Sequence, residues 1–133
     1  LPADHEASQD ITIPILQTLL GAHVPTRVIV RTGHSVASGT FPANWPALSE
    51  DAAKWLVQHG LTLWGVDAPS VDRRTSTELP VHNAIFGGGA FVLENLALDV
   101  VPVGRYELLA QPLAVHGADA APVRALLRAI REN

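Results

Sequence analysis

The sequence predicts an α/β domain in which helices pack on a mixed sheet. Short runs rich in β-branched residues, such as Arg27 to Thr32, have the length of single buried strands. Stretches with apolar residues at helical spacing alternate with those runs. Between Ser49 and Val66 a helix, a glycine and a strand follow one another. Together with the preceding strand they read as a βαβ crossover, which implies parallel pairing. The scale agrees, since 133 residues suit one compact domain, and 47% hydrophobic against 17% charged residues leave enough apolar surface to bury.

Taken in order, Leu1 to Asp10 is polar, carries the cluster Asp4, His5 and Glu6, and has no periodicity that would bury it. Residues 1–10 read as a mobile lead-in and residues 11–133 as the domain. Ile15, Leu16, Leu19 and Leu20 recur at helical spacing, with Thr12 as N-cap, Pro14 in the first turn and Gly21 as a stop. The strand Arg27 to Thr32 follows, closed by Gly33. His34 to Leu48 then shows no period of either kind, interleaving Ser35, Ser38, Gly39, Pro42, Asn44 and Pro46 with Phe41 and Trp45. A loop of this length in a small domain is expected to line or cover something, although its aromatics would serve equally as anchors.

Ser49 caps the clearest helix, with Glu50 and Asp51 in its first turn, Ala52, Ala53, Leu56 and Val57 on its inner face, and Gly60 as its left-handed stop. Leu61 to Val66 reads as a strand, Asp67 to Glu78 as a turn-rich connection, and Leu79 to Phe86 as two turns of helix ended by Gly87, Gly88 and Gly89. Ala90 to Glu94 and Tyr106 to Gln111 are further strands. Val123 to Ile130 fits alternation through Val123, Ala125, Leu127 and Ala129, and a helix through Leu126, Leu127 and Ile130. The strand reading is preferred there.

Composition removes several functions. Nine Lys and Arg against thirteen Asp and Glu give a net charge of −4, and no basic cluster offers a phosphate-binding surface for nucleic acid. No stretch approaches the ~20 apolar residues that span a bilayer. The expected partner is a small molecule or another protein. With no cysteine, only His, Asp and Glu remain as strong metal ligands. Absence of cysteine suits either side of a membrane, and a cytoplasmic location is the expectation. The chain starts at Leu1, without Met or a secretion signal, and so reads as processed, trimmed or incomplete at its N-terminus. Gly87 to Gly89 precede a strand and are no phosphate loop, while Ser70 lacks the elbow of a serine hydrolase.

Of the six histidines, His5 lies in the lead-in, His23 in a connection, and His59 at a helix C-terminus that favours an imidazolium. His34 and His116 are loop residues. His82 differs, because it stands near the start of a short helix, and Glu94 ends the strand that returns from it. Helical rise away and strand rise back place both side chains on one edge. An imidazole and a carboxylate converging there are half of a site for Zn²⁺ or Mn²⁺. From spacing alone, a solvated histidine at a helix start and a glutamate at a strand end are the favoured explanation of the pair.

A collinear set of segments carries a family resemblance: RVIVRTG from Arg27, LSEDAAKWLVQHG from Leu48, LTLWGVDAPSVD from Leu61, STELPVH from Ser76, FVLENL from Phe91, GRYELLAQP from Gly104 and DAAPVRALL from Asp119. The chain resembles the bacterial kynurenine formamidase and cyclase family of metal-dependent hydrolases over about four-fifths of its length. The resemblance implies the family's swivelling β/β/α domain with its N-terminal part missing. It also implies that His82 and Glu94 are metal ligands. The family's other ligands and its catalytic histidine lie in an upstream motif, HxGTHxDAPxH, that this sequence does not contain. Asp67 matches a later turn of the family by order, and is read as a turn-forming residue.

The resemblance thus implies the C-terminal portion of a Zn²⁺ or Mn²⁺ hydrolase acting on a small amide or ester, with N-formylkynurenine of tryptophan catabolism as leading candidate. No catalytic residue is expected in this chain, which alone is expected to be inactive. Phe41 and Trp45 are candidates for stacking on an aromatic substrate. A homo-oligomer is expected, and the upstream part was cleaved off, exists as a separate chain, or was lost. In the last case the chain is a non-catalytic binding or scaffold relative.

Overall fold

Parallel strands need a crossover that returns the chain to the same edge of the sheet, and helices supply it twice here. The computed structural model describes residues 1, 6, 9–37 and 39–130. Its elements are α1 (Ile13–Leu20), β1 (Arg27–Val30), α2 (Glu50–Gln58), β2 (Leu63–Val66), α3 (Pro80–Gly87), β3 (Phe91–Leu93), β4 (Tyr106–Pro112) and β5 (Val123–Ala129). Strands β1, β2 and β3 form a parallel sheet in that order, with α2 and α3 as its crossovers. The chain is α/β with parallel and antiparallel strands, as expected, although the two kinds are sorted into separate sheets. Strands β4 and β5, joined without a helix, pair antiparallel with each other.

The chain divides into two compact units, Leu1–Val100 and Val101–Asn133. In the first, β2 is the central strand and the most buried, with Trp64 1% exposed. Gly65 in that strand lets its neighbours close in, since a Cβ there would stand 3.0 Å from both Ile29 Cγ1 and Leu96 Cδ1. Helix α2 starts as its sequence dictates, with the Ser49 hydroxyl accepting from Ala52 N–H at 3.2 Å. It buries Ala52, Ala53 and Leu56, and packs against α1 and α3. Thr12 does stand at the N-cap of α1, but its side chain makes no capping hydrogen bond.

The lead-in falls largely outside the described residues, which omit 2–5, 7 and 8, and so does the cluster Asp4 and His5. Of its described members, Leu1 donates from its ammonium to the Arg31 carbonyl at 2.8 Å and Asp10 pairs with Arg73 at 2.7 Å. Ile11 then bridges Leu48 in parallel, closing the base of the long loop.

In the second unit, register pairs Leu108 with Leu127 and Leu109 with Leu126. Alternation therefore wins over helical spacing in β5. Tyr106, Leu108, Ala110, Ala125 and Leu127 are half-buried, while Leu109 and Leu126 are exposed and Arg128 pairs with Glu107. Among the described residues, no helix is long and apolar enough to cross a membrane.

Leu56→Ala is expected to lower the unfolding free energy by about 2–5 kcal/mol, because it empties a fully buried position of α2. Lys54→Ala, which removes an exposed i,i+4 pair with Glu50, should leave the stability close to that of the parent. Urea denaturation of both variants checks the contrast.

Candidate functional site

In a parallel sheet the chain leaves every strand at the same edge, so polar residues just after the strands are brought together. Here Thr32 follows β1, Asp67 follows β2 and Glu94 follows β3. Pairing of Val30 with Val66 and of Gly65 with Leu93 puts all three at one edge.

Asp67 is fully buried, which a carboxylate tolerates only with hydrogen-bonded partners. Its Oδ1 accepts from the Thr32 N–H and hydroxyl, each at 2.7 Å, and its Oδ2 from the Gly33 N–H at 2.9 Å. Asp67 thus does more than form its own turn, because it ties the end of β2 to the loop after β1. With both oxygens occupied, it faces that loop and not His82.

The second buried carboxylate, Asp72, is 2% exposed. Helix α3 has Leu79 at its N-cap, a side chain with nothing to offer the free N–H groups, and Leu79 itself is left-handed at φ 49°. Asp72 caps the helix from a distance: Oδ1 accepts from Val81 N–H at 3.0 Å and Oδ2 from His82 N–H at 3.1 Å. A carboxylate at a helix N-terminus is also favoured by the helix dipole. The same Oδ2 lies 2.7 Å from His82 Nδ1. On the other side of the ring, His82 Nε2 is 3.2 Å from Glu94 Oε1.

Glu94 is aimed by its neighbours. Asn95 is left-handed at φ 59°, a conformation Asn accepts, and its N–H donates to the Ala68 carbonyl at 3.0 Å. The turn this makes directs the carboxylate to Val71, whose N–H donates to Oε1 at 2.8 Å. His82 and Glu94 remain partly open to solvent, with side chains 18% and 26% exposed.

Each ring nitrogen of His82 thus faces a carboxylate oxygen, Nδ1 that of Asp72 and Nε2 that of Glu94. Imidazole plus carboxylate is a donor set that suits zinc or manganese. Among the described residues, no group of three or more His, Cys, Asp or Glu is placed to hold a metal ion. Among the described residues, this edge of the sheet offers two such donors facing each other, His82 and Glu94.

The two aromatics of the long loop part company. Trp45 is 4% exposed and its indole N–H donates to the Asp72 carbonyl at 2.9 Å, so it anchors the loop and has no open face for a substrate ring. Phe41 is 59% exposed, edge-on to Trp45, with the Arg74 guanidinium 5.6 Å from its centroid. Of the other histidines, His23 and His116 are exposed, and His59 Nδ1–H donates to the Trp55 carbonyl at its helix end. His34 Nδ1–H donates to the Thr32 carbonyl at 2.9 Å. Asp72 is the residue that sequence reasoning missed. The signal was present, since a helix whose N-cap is leucine needs a capping group from elsewhere.

The chain is similar to known proteins over most of its length. The Cyclase family model, described as "Putative cyclase", matches residues 4–73, just over half of the chain. The chain is 43% identical over 118 residues to a kynurenine formamidase of Geobacillus thermodenitrificans, covering 89% of this chain and 56% of that protein. It is 46% identical over 107 residues to a kynurenine formamidase of Bordetella pertussis, covering 80% and 51%. A solved structure described as a predicted metal-dependent hydrolase from Bacillus stearothermophilus superposes with a TM-score of 0.77 at 33% identity, over 89% of this chain and 56% of that one. Another, described as a potential metal-dependent hydrolase with cyclase activity, gives 0.78 at 33% identity, over 89% and 57%. The chain spans about half the length of the curated relatives it matches.

Trp45→Phe is expected to cost about 1–3 kcal/mol, because it leaves the buried Asp72 carbonyl without its donor. Phe41→Ala, at an exposed site, should stay within about 1 kcal/mol. Equal stability of Trp45→Phe and the parent in chemical denaturation would speak against the anchor.

Proposed function

The chain belongs to the Cyclase family, and from that premise we propose that it is the C-terminal part of a metal-dependent hydrolase of the kynurenine formamidase type. The reaction is hydrolysis of N-formylkynurenine to kynurenine and formate: a water oxygen bonds to the formyl carbon, the carbon–nitrogen bond breaks, and the arylamine leaves with a proton. One observation carries the reading, the His82 Nε2 to Glu94 Oε1 approach with Asp72 behind the ring.

His82 through Nε2 and Glu94 through its carboxylate would hold a Zn²⁺ or Mn²⁺ ion, alongside ligands from a preceding segment or separate chain. The chemistry such an ion supplies is Lewis acidity, which lowers the pKa of a coordinated water to about 7. Within this chain, Asp72 and Val71 keep the two donors in place. Phe41 is the aromatic that remains open to stack on the substrate's ring, and the proton-transferring histidine is assigned outside this chain. Self-association belongs to the same proposal, supported by the exposed Leu109 and Leu126 of the hairpin. Capping of α3 by Asp72 would serve a scaffold as well, but it does not call for the Glu94 carboxylate against the other side of the ring.

The isolated chain should bind Zn²⁺ or Mn²⁺ weakly and show no formamidase activity, and joining it to the upstream segment should restore turnover. In that complete protein His82→Ala should remove both bound metal and activity, read by elemental analysis and kynurenine absorbance. Full metal content and full activity in the variant would refute the site.

A further inference from the structure

We propose that Asp72 is a positioning residue whose carboxylate fixes the His82 ring as the tautomer protonated on Nδ1, so that Nε2 keeps its lone pair on the side of Glu94. The inference rests on the metal-hydrolase reading above and deepens it, because it says how this chain prepares one donor before any ion arrives.

A neutral imidazole has one N–H, and two carboxylates stand ready to accept it. The contact on the Asp72 side is 2.7 Å and that on the Glu94 side 3.2 Å. Asp72 is also the drier and the more firmly held of the two. Its side chain is 2% exposed against 26% for Glu94, and both its oxygens already accept backbone N–H groups of α3. Turning it away from the ring would strip Val81 and His82 of their helix-capping acceptor, at the cost of unpaired N–H groups. The backbone beneath it is fixed as well, with Trp45 on the Asp72 carbonyl and the Ser70 hydroxyl accepting from the Asp72 N–H at 3.2 Å. Val71, one residue earlier, gives its N–H to Glu94. Two consecutive residues therefore aim both donors, Val71 the carboxylate and Asp72 the imidazole. Histidines that bind metals commonly have such an acceptor behind the ring, and losing it weakens binding by about 10–100-fold.

Helix capping alone would not need the contact to Nδ1, and Asn caps helices about as well as Asp. Asp72→Asn therefore separates the roles, because its amide nitrogen donates where one carboxylate oxygen accepted. The experiment records two-bond ¹H–¹⁵N spectra of the histidine rings in the metal-free 133-residue chain, at a pH where imidazole is neutral, and then during titration with Zn²⁺. Wild-type His82 should carry its proton on Nδ1. In Asp72→Asn the Nε2-protonated form should gain population, and the Zn²⁺ concentration that moves the Nε2 resonance should rise at least about tenfold, with helix content by circular dichroism retained. Glu94→Gln should weaken the Zn²⁺ response but leave the ring protonated on Nδ1. A wild-type ring protonated on Nε2 overturns the proposal, even if the variant does not fold. So does a folded variant with the wild-type tautomer. An active complete protein with the Nε2-protonated ring would sink this inference alone. An inactive one with the Nδ1-protonated ring and an Asp72-dependent Zn²⁺ response would sink the formamidase reading and leave the inference standing.

Discussion

The Asp72 carboxylate is the point on which the site depends. It is almost wholly removed from water, and a charge there is tolerable only because donors surround it: two backbone N–H groups of α3 and the imidazole of His82. Each of these partners is also served by it. The helix gains a cap that its own N-cap leucine cannot give, and the ring gains a defined orientation. Because one side chain performs both tasks, the start of α3 and the direction of His82 are set together.

Parallel pairing supplies the rest of the placement. It delivers the ends of β1, β2 and β3 to one edge, where two buried aspartates divide the work. Asp67 draws in the loop after β1, and Asp72 draws in α3. The short segment between them also holds Glu94 through the Val71 N–H. Trp45 reaches the same segment from the long loop, so a loop with no regular structure is nevertheless tied to the residue that orients His82. Phe41, on the same loop, stays at the surface and is free of that duty.

Much of this was legible in the amino-acid sequence because local rules governed it. The β-branched run at Arg27, the Ser49 cap and the glycine at residue 60 fix β1 and α2 with little outside help, and a helix between two short strands is the usual crossover of a parallel pair. Alternation in Val123–Ala129 was visible but matched by a helical alternative, and pairing with β4 decided between them. His82 and Glu94 were legible as a pair because a short helix followed by a short strand returns the chain to its starting edge. Their resemblance to the ligands of a known family then gave the pair a chemical meaning.

What only the tertiary structure decided is how polar groups were satisfied once water had been excluded. Asp67 and Asp72 look alike in sequence, two acids of one turn-rich connection. The structure gives one to a distant loop and the other to a helix start and a histidine. Trp45 and Phe41 likewise look alike as loop aromatics, and burial separates them. Sequence patterns record which residues prefer the interior or a given backbone shape, and those preferences act over a few neighbours. The partner of a buried hydrogen-bonding group is set by which segments the folded chain brings within 3 Å, and that depends on contacts spread along the chain.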